Sequence, residues 1–119
     1  VARGAVQMLG SSGTVTTLAG VHLGLKRYDR SRVDGIYLDF ADIERSSRAL
    51  SSMNCAERAA QPTIGPGRAD LVVAGCAILT AVMLVWPVGR LRVADRGLRE
   101  GILRILIEAE RPPLRAGAA

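Results

Sequence analysis

The sequence predicts an α/β domain: a small sheet of few strands covered by helices. Two observations carry this. An apolar run at residues 5–9 turns through glycine and serine into a helical pattern, and residues 91–94 lead through Asp95 and Gly97 into another. Between them the order strand, two helices, long helix repeats the alternation. Three strands are few for so much helix. Further strands are therefore expected beyond this chain, which reads as part of a larger lobe, with residues 1–111 in the fold and 112–119 as a tail frayed after Pro112.

Taken in order, the strand at 5–9 meets Gly10-Ser11-Ser12-Gly13-Thr14, and the helix after it carries Val15, Leu18, His22 and Leu25 on one face. Gly24 and the charged residues 26–32 mark a loop, and 33–38 alternates well enough for a short edge strand. Asp39 is placed to cap a helix with Phe40, Ile43, Leu50 and Met53 as its apolar stripe and Glu44 and Arg48 one turn apart on its wet side. Asn54-Cys55-Ala56-Glu57 has the form of a capping box for a short helix. Two prolines and two glycines make 61–67 a loop. Arg68 or Ala69 then opens the long apolar helix, which stops at Pro87, and the last helix runs from Gly97 to about Glu110.

At 119 residues the chain is one domain in length. Hydrophobic residues at 49% against 23% charged exclude a disordered chain. Aromatics at 3% leave no stacking platform for single-stranded nucleic acid. The net charge of +5 comes mostly from arginine, whose planar fork suits phosphate oxygens, although an arginine-rich proteome would give the same surplus. The basic residues are scattered, which argues against a DNA-binding face.

Cys55 and Cys76 lack metal-ligand spacing and read as small core residues of a reducing compartment. No secretory signal opens the chain, so a cytoplasmic location is expected. Residues 71–89 carry no charge and raise the question of a membrane span. Ala74, Gly75, Ala77, Thr80 and Ala81 dilute that run, and small residues at this density suit a buried central helix in a protein without a membrane.

Three stretches offer chemistry. Gly10 to Thr14 is either a plain structural turn or a cradle in which glycine backbone, hydroxyls and the free amides of a helix start meet a phosphate. Arg68, at the start of the long helix, either holds an anion or pairs with Asp70 or another carboxylate. Asp95-Arg96-Gly97-Leu98-Arg99-Glu100-Gly101 follows a strand, where open α/β sheets bind ligands, though Asp95 taken alone is best read as a helix cap. The lone histidine, His22, reads as a packed or dipole-stabilised residue. No catalytic triad or metal cluster can be assembled.

The order of these stretches is similar to the carboxy-terminal region of the exopolyphosphatase / guanosine pentaphosphate phosphohydrolase family. The resemblance rests on Gly10-Ser11-Ser12-Gly13-Thr14-Val15-Thr16-Thr17, on Arg68-Ala69-Asp70 with Ala74-Gly75, and on Asp95 to Gly101 as the most specific part. Tyr28-Asp29-Arg30-Ser31-Arg32-Val33-Asp34-Gly35 fits it as well, while Asn54-Cys55 and Thr63 depart from it.

The resemblance implies an actin-like, ribonuclease-H-like fold, with this chain as the carboxy-terminal part of the second lobe. It implies a parent that releases phosphate from polyphosphate or guanosine pentaphosphate with magnesium. It places Gly10, Ser11, Ser12, Gly13, Thr14 and Arg68 at the phosphate-binding cleft. The family's phosphate loops and catalytic glutamate have no counterpart here, so the chain alone is expected to be inactive and to work with the rest of its parent, with a homodimer as a further open partner. The alternatives are a non-catalytic phosphate- or nucleotide-binding module and, in a third class, a membrane-anchored helical protein.

Overall fold

The computed structural model describes residues 6–110. Its elements are β1 (Met8–Gly10), α1 (Gly13–His22), α2 (Arg30–Val33), β2 (Tyr37–Asp39), α3 (Phe40–Ser52), α4 (Cys55–Ala59), α5 (Leu71–Val85), β3 (Arg90–Val93) and α6 (Leu98–Glu110). The α/β class is as expected. The tail at 112–119 and the first residue of the expected opening strand, Ala5, lie outside the described residues.

The sheet has the order β1-β3-β2. β1 runs parallel to β3 with Met8 opposite Leu91, and β2 runs antiparallel with Leu38 opposite Leu91. Leu38 and Leu91 are each 1% exposed, so the middle of the sheet presses its apolar side into the core with Leu18, Ile43 and Leu50. Along β3 burial alternates, as a strand with one covered face requires.

The buried central helix is α1. Every residue from Val15 to Gly20 is buried, because Thr16, Thr17, Ala19 and Gly20 are small enough to let α3, α5 and the sheet approach on all sides. This corrects the expectation that the long apolar helix would be central. α5 buries only Val72, Cys76 and Met83, while Leu71, Ile78, Leu84 and Val85 on its other side are more than half exposed. Hydropathy marks a helix that wants cover; it does not say how many neighbours supply it. Among the described residues, no helix is long and apolar enough to cross a membrane.

Several local expectations shift. The loop at 26–32 contains α2, capped by Asp29, whose carboxylate accepts from the Ser31 amide at 2.9 Å. The strand expected at 33–38 shortens to β2, because Val33 closes α2 and packs into the core at 0% exposure. Asp39 occupies the cap position of α3 without a side-chain bond, and α5 starts at Leu71 rather than Arg68 or Ala69. Glu44 and Arg48 lie exposed on the wet side of α3 as expected, and the ion pair on that helix is Arg45 with Asp42. Cys55 is exposed rather than core, and Cys76 is buried as expected. The capping box forms as read: Asn54 accepts from the Glu57 amide at 2.9 Å, and Glu57 accepts from the Asn54 amide at 2.7 Å.

Candidate functional site

The chain leaves β1 at Gly10 and enters α1 at Gly13, turning through Ser11 and Ser12. Ser12 sits at φ 155°, the one non-glycine residue with positive φ among the described residues. Such backbone is favourable for glycine and costs other residues on the order of 1–3 kcal/mol, and it gathers at ligand-gripping turns. α1 begins with no acidic residue in its first turn and no side-chain cap. Among the described residues no side chain caps its first amides, and at such a helix start an anion gains from both hydrogen bonds and the helix dipole.

Arg68 lies across this turn. A Cβ placed on Gly13 would stand 3.5 Å from the Arg68 Cζ and Nη1, so the guanidinium is stacked against the start of α1. Nη1 also donates to the Thr17 hydroxyl at 3.4 Å, a long bond. Arg68 has no carboxylate partner among the described residues. Asp70 is engaged elsewhere, accepting from the Cys55 thiol at 2.9 Å; that bond, followed by burial, raises the thiol pKa.

Opposite Arg68, residues 95–100 close a cleft of about 760 Å³. Ser11, Ser12, Gly13 and Arg68 line it together with Asp95, Arg96, Gly97 and Arg99. The fold thus brings the three chemically suggestive stretches into one place. Thr14 lines a smaller hollow of about 260 Å³ on the far side of Arg68, with Thr17, Leu71 and Val72. Gly10 lines neither. It ends β1 beneath Val15 and Leu91, and its carbonyl accepts from the Ala94 amide at 2.8 Å.

The far wall is fastened by residues for which the sequence reading had no role. The Tyr28 hydroxyl donates to Asp95 at 2.7 Å, and Arg30 pairs with Asp95 at 3.5 Å and Glu100 at 3.1 Å. Asp34 accepts from the Asp95 amide at 2.9 Å and pairs with Arg96 at 3.2 Å. These contacts have a sequence signal: the charge pattern Asp29-Arg30-Arg32-Asp34 faces the complementary pattern Asp95-Arg96-Arg99-Glu100. Pairing of this kind is read only once the two loops are known to meet.

Asp95 is not the cap of α6. α6 starts at Leu98 after Gly97, and Glu100 in its first turn reaches back to accept from the Gly97 amide at 2.8 Å and is held by Arg30; the Gly97 bond leads the causes that lower its pKa to about 2. Asp34 is lowered too, first by the Asp95 amide and then by Arg96. His22 lies in the last turn of α1, 4.0 Å from Asp42 and well outside the cleft. Thr63, one of the unusual positions, is buried against Gly20 and reaches the cleft edge.

Four arginines line the cleft, and they differ in state. Arg30 and Arg96 are neutralised by carboxylates. Arg68 and Arg99 have no ion-pair partner among the described residues. No group of three or more His, Cys, Asp or Glu among those residues could hold a metal ion. The carboxylates nearest the cleft are spent on Tyr28, Arg30 and Arg96. As built, the site offers hydrogen-bond donors and positive charge to an anion.

A model of the Ppx/GppA phosphatase family matches residues 1–110. The Aquifex aeolicus member of that family superposes with a TM-score of 0.81 at 27% identity over 90% of this chain and 36% of its own. An exopolyphosphatase-like protein gives 0.78 at 32% identity, over 87% and 35%. An exopolyphosphatase from Cytophaga hutchinsonii shares the fold, with 0.73 at 23% identity over 89% and 35%. The chain thus spans about a third of the length of the solved structures it matches. No curated protein matches it.

Proposed function

Because the chain belongs to the Ppx/GppA phosphatase family, we propose that it forms one wall of the phosphate-binding cleft of a phosphohydrolase acting on inorganic polyphosphate or guanosine pentaphosphate. The observation that carries this is the placement of Arg68. Its guanidinium is stacked on Gly13 where the free amides of α1 emerge, and no carboxylate competes for it among the described residues. Charge and dipole add at one point, which is the arrangement an oxyanion of phosphate requires. Ser11 and Ser12 supply hydroxyls on the same rim.

Within such a hydrolase, catalysis is largely positioning and neutralisation of charge at phosphorus. Arg68 and the α1 amides would hold a non-transferred phosphate and draw negative charge off the reacting one. Magnesium, which the family resemblance implies, finds no ligand set among the described residues, where Asp34, Asp95 and Glu100 are committed to arginine, tyrosine and backbone partners. Its ligands, like the general base that activates water, would come from the remainder of a full-length member, and the resulting enzyme would work in the cytoplasm.

The test is equilibrium binding of polyphosphate and of guanosine pentaphosphate to the chain and to Arg68→Ala. Loss of about 1.5–3 kcal/mol of binding is expected, the range for a hydrogen bond to a charged group. Equal affinity of the two proteins for both ligands would remove the proposal.

A further inference from the structure

We infer that Arg99 is a second phosphate-binding residue, which makes this cleft a two-point site selective for ligands carrying several separated phosphates. The inference rests on the cleft being a phosphate site and goes beyond it by assigning a residue and a ligand length.

Arg99 lines the same cleft as Arg68 but belongs to the 95–100 segment, whereas Arg68 lies against Gly13 at the start of α1. It stands second in α6, in the first helical turn, where a cation is opposed by the helix dipole. It has no compensating partner among the described residues. The adjacent carboxylate, Glu100, is turned away from it, bonded to the Gly97 amide and to Arg30. Arg96 is held by Asp34. Of the three positive side chains on this wall that reach the cleft, Arg30 and Arg96 are masked and Arg99 is left with its charge available. An exposed cation in an unfavourable place, without a partner, is accounted for by a ligand that supplies the negative charge.

The wall also fixes where Arg99 stands. Tyr28, Arg30 and Asp34 hold Asp95, Arg96 and Glu100 through side-chain and backbone bonds on both sides of position 99. Its backbone is therefore anchored although its side chain is free. A single orthophosphate seated on Arg68 and the α1 amides satisfies one side of a cleft of about 760 Å³. A chain of phosphates, or a nucleotide with phosphates at both ends, can engage both walls.

The experiment measures binding of orthophosphate and of long-chain polyphosphate to wild type, Arg68→Ala, Arg99→Ala and Arg99→Lys, with melting curves on each to verify folding. Arg99→Ala is expected to weaken polyphosphate at least about tenfold, the fold-change of one charged hydrogen bond, while leaving orthophosphate unchanged. Arg99→Lys should recover part of that loss. Arg68→Ala should weaken both ligands. If Arg99→Ala binds polyphosphate like wild type while Arg68→Ala does not, the second contact is wrong and the first stands. If neither variant loses affinity, or wild type binds neither ligand, the phosphate cleft itself is wrong and the inference goes with it. An equal loss of both ligands in Arg99→Ala would also overturn it, since that describes one shared site rather than two points.

Discussion

Gly75 of α5 faces Thr14 of α1 with no room for a side chain between them. A Cβ at Gly75 would run into the Thr14 hydroxyl, with the threonine methyl only 3.0 Å away. This close approach seats the start of α1 against α5, and so places the turn that faces Arg68.

Replacing Gly75 by leucine should therefore push the two helices apart. The expected cost is about 1–3 kcal/mol for overpacking, read as a lowered melting temperature. Leu84→Gln, on the exposed side of the same helix (Leu84 is 78% exposed), should stay within about 0.5 kcal/mol of wild type. Similar melting temperatures for Gly75→Leu and wild type would show that the α1–α5 contact does not hold the fold.

Glu100 sets an acid limit on the wall opposite. Its carboxylate is lowered from 4.5 to about 2, so the folded state binds its proton less readily than the unfolded chain. The stabilisation is complete above about pH 4.5 and is lost as pH falls toward 2. Glu100→Gln should melt lower than wild type at neutral pH, and the gap should close across that window. A gap that stays constant from neutral pH to pH 2 would show that Glu100 is not held as described.

Arg68 should matter for ligand and hardly at all for stability. It has no ion-pair partner among the described residues and only a long bond to Thr17. Arg68→Ala is expected to melt within about 0.5 kcal/mol of wild type. Arg68→Lys should regain part of the lost ligand affinity, because an ammonium cannot reproduce the bidentate fork. A large stability loss in Arg68→Ala without loss of ligand affinity would assign the residue a structural role.

The chain by itself should release no phosphate from polyphosphate or guanosine pentaphosphate. Its cleft holds donors and arginines, and the described residues provide no metal-binding cluster. Magnesium-dependent phosphate release by the purified chain, abolished by a substitution within it, would contradict this.

What the sequence disclosed depended on how local the determinant was. The Asn54–Glu57 capping box is complete within four residues and was legible. β2 is three residues long and owes its existence to pairing with β3 far along the chain, so its extent was not. The exchange of roles between α1 and α5 has the same origin. Apolar content is written in α5, but cover is decided by neighbours, and the small residues of α1 admit more of them. At the site, the resemblance singled out the Gly10–Thr14 turn, Arg68 and the 95–101 stretch; Ser11, Ser12, Gly13, Arg68 and residues 95–100 meet in one cleft, while Gly10 lies beneath the sheet edge and Thr14 lines the smaller hollow. The fastening by Tyr28, Arg30 and Asp34 escaped notice because it joins loops more than sixty residues apart.

The strand in the middle of the sheet is the last of the three to be made. With the order β1-β3-β2, neither earlier strand has a sheet partner until residues 90–93 arrive. Closing that long loop costs entropy before any ladder bond repays it. The helices α1, α3 and α5 already touch one another without the sheet and are free to gather first, leaving β3 to slide between its neighbours late. Truncating Leu91 to alanine should consequently quicken unfolding while refolding keeps its pace; slowed refolding would mean that the strand inserts early.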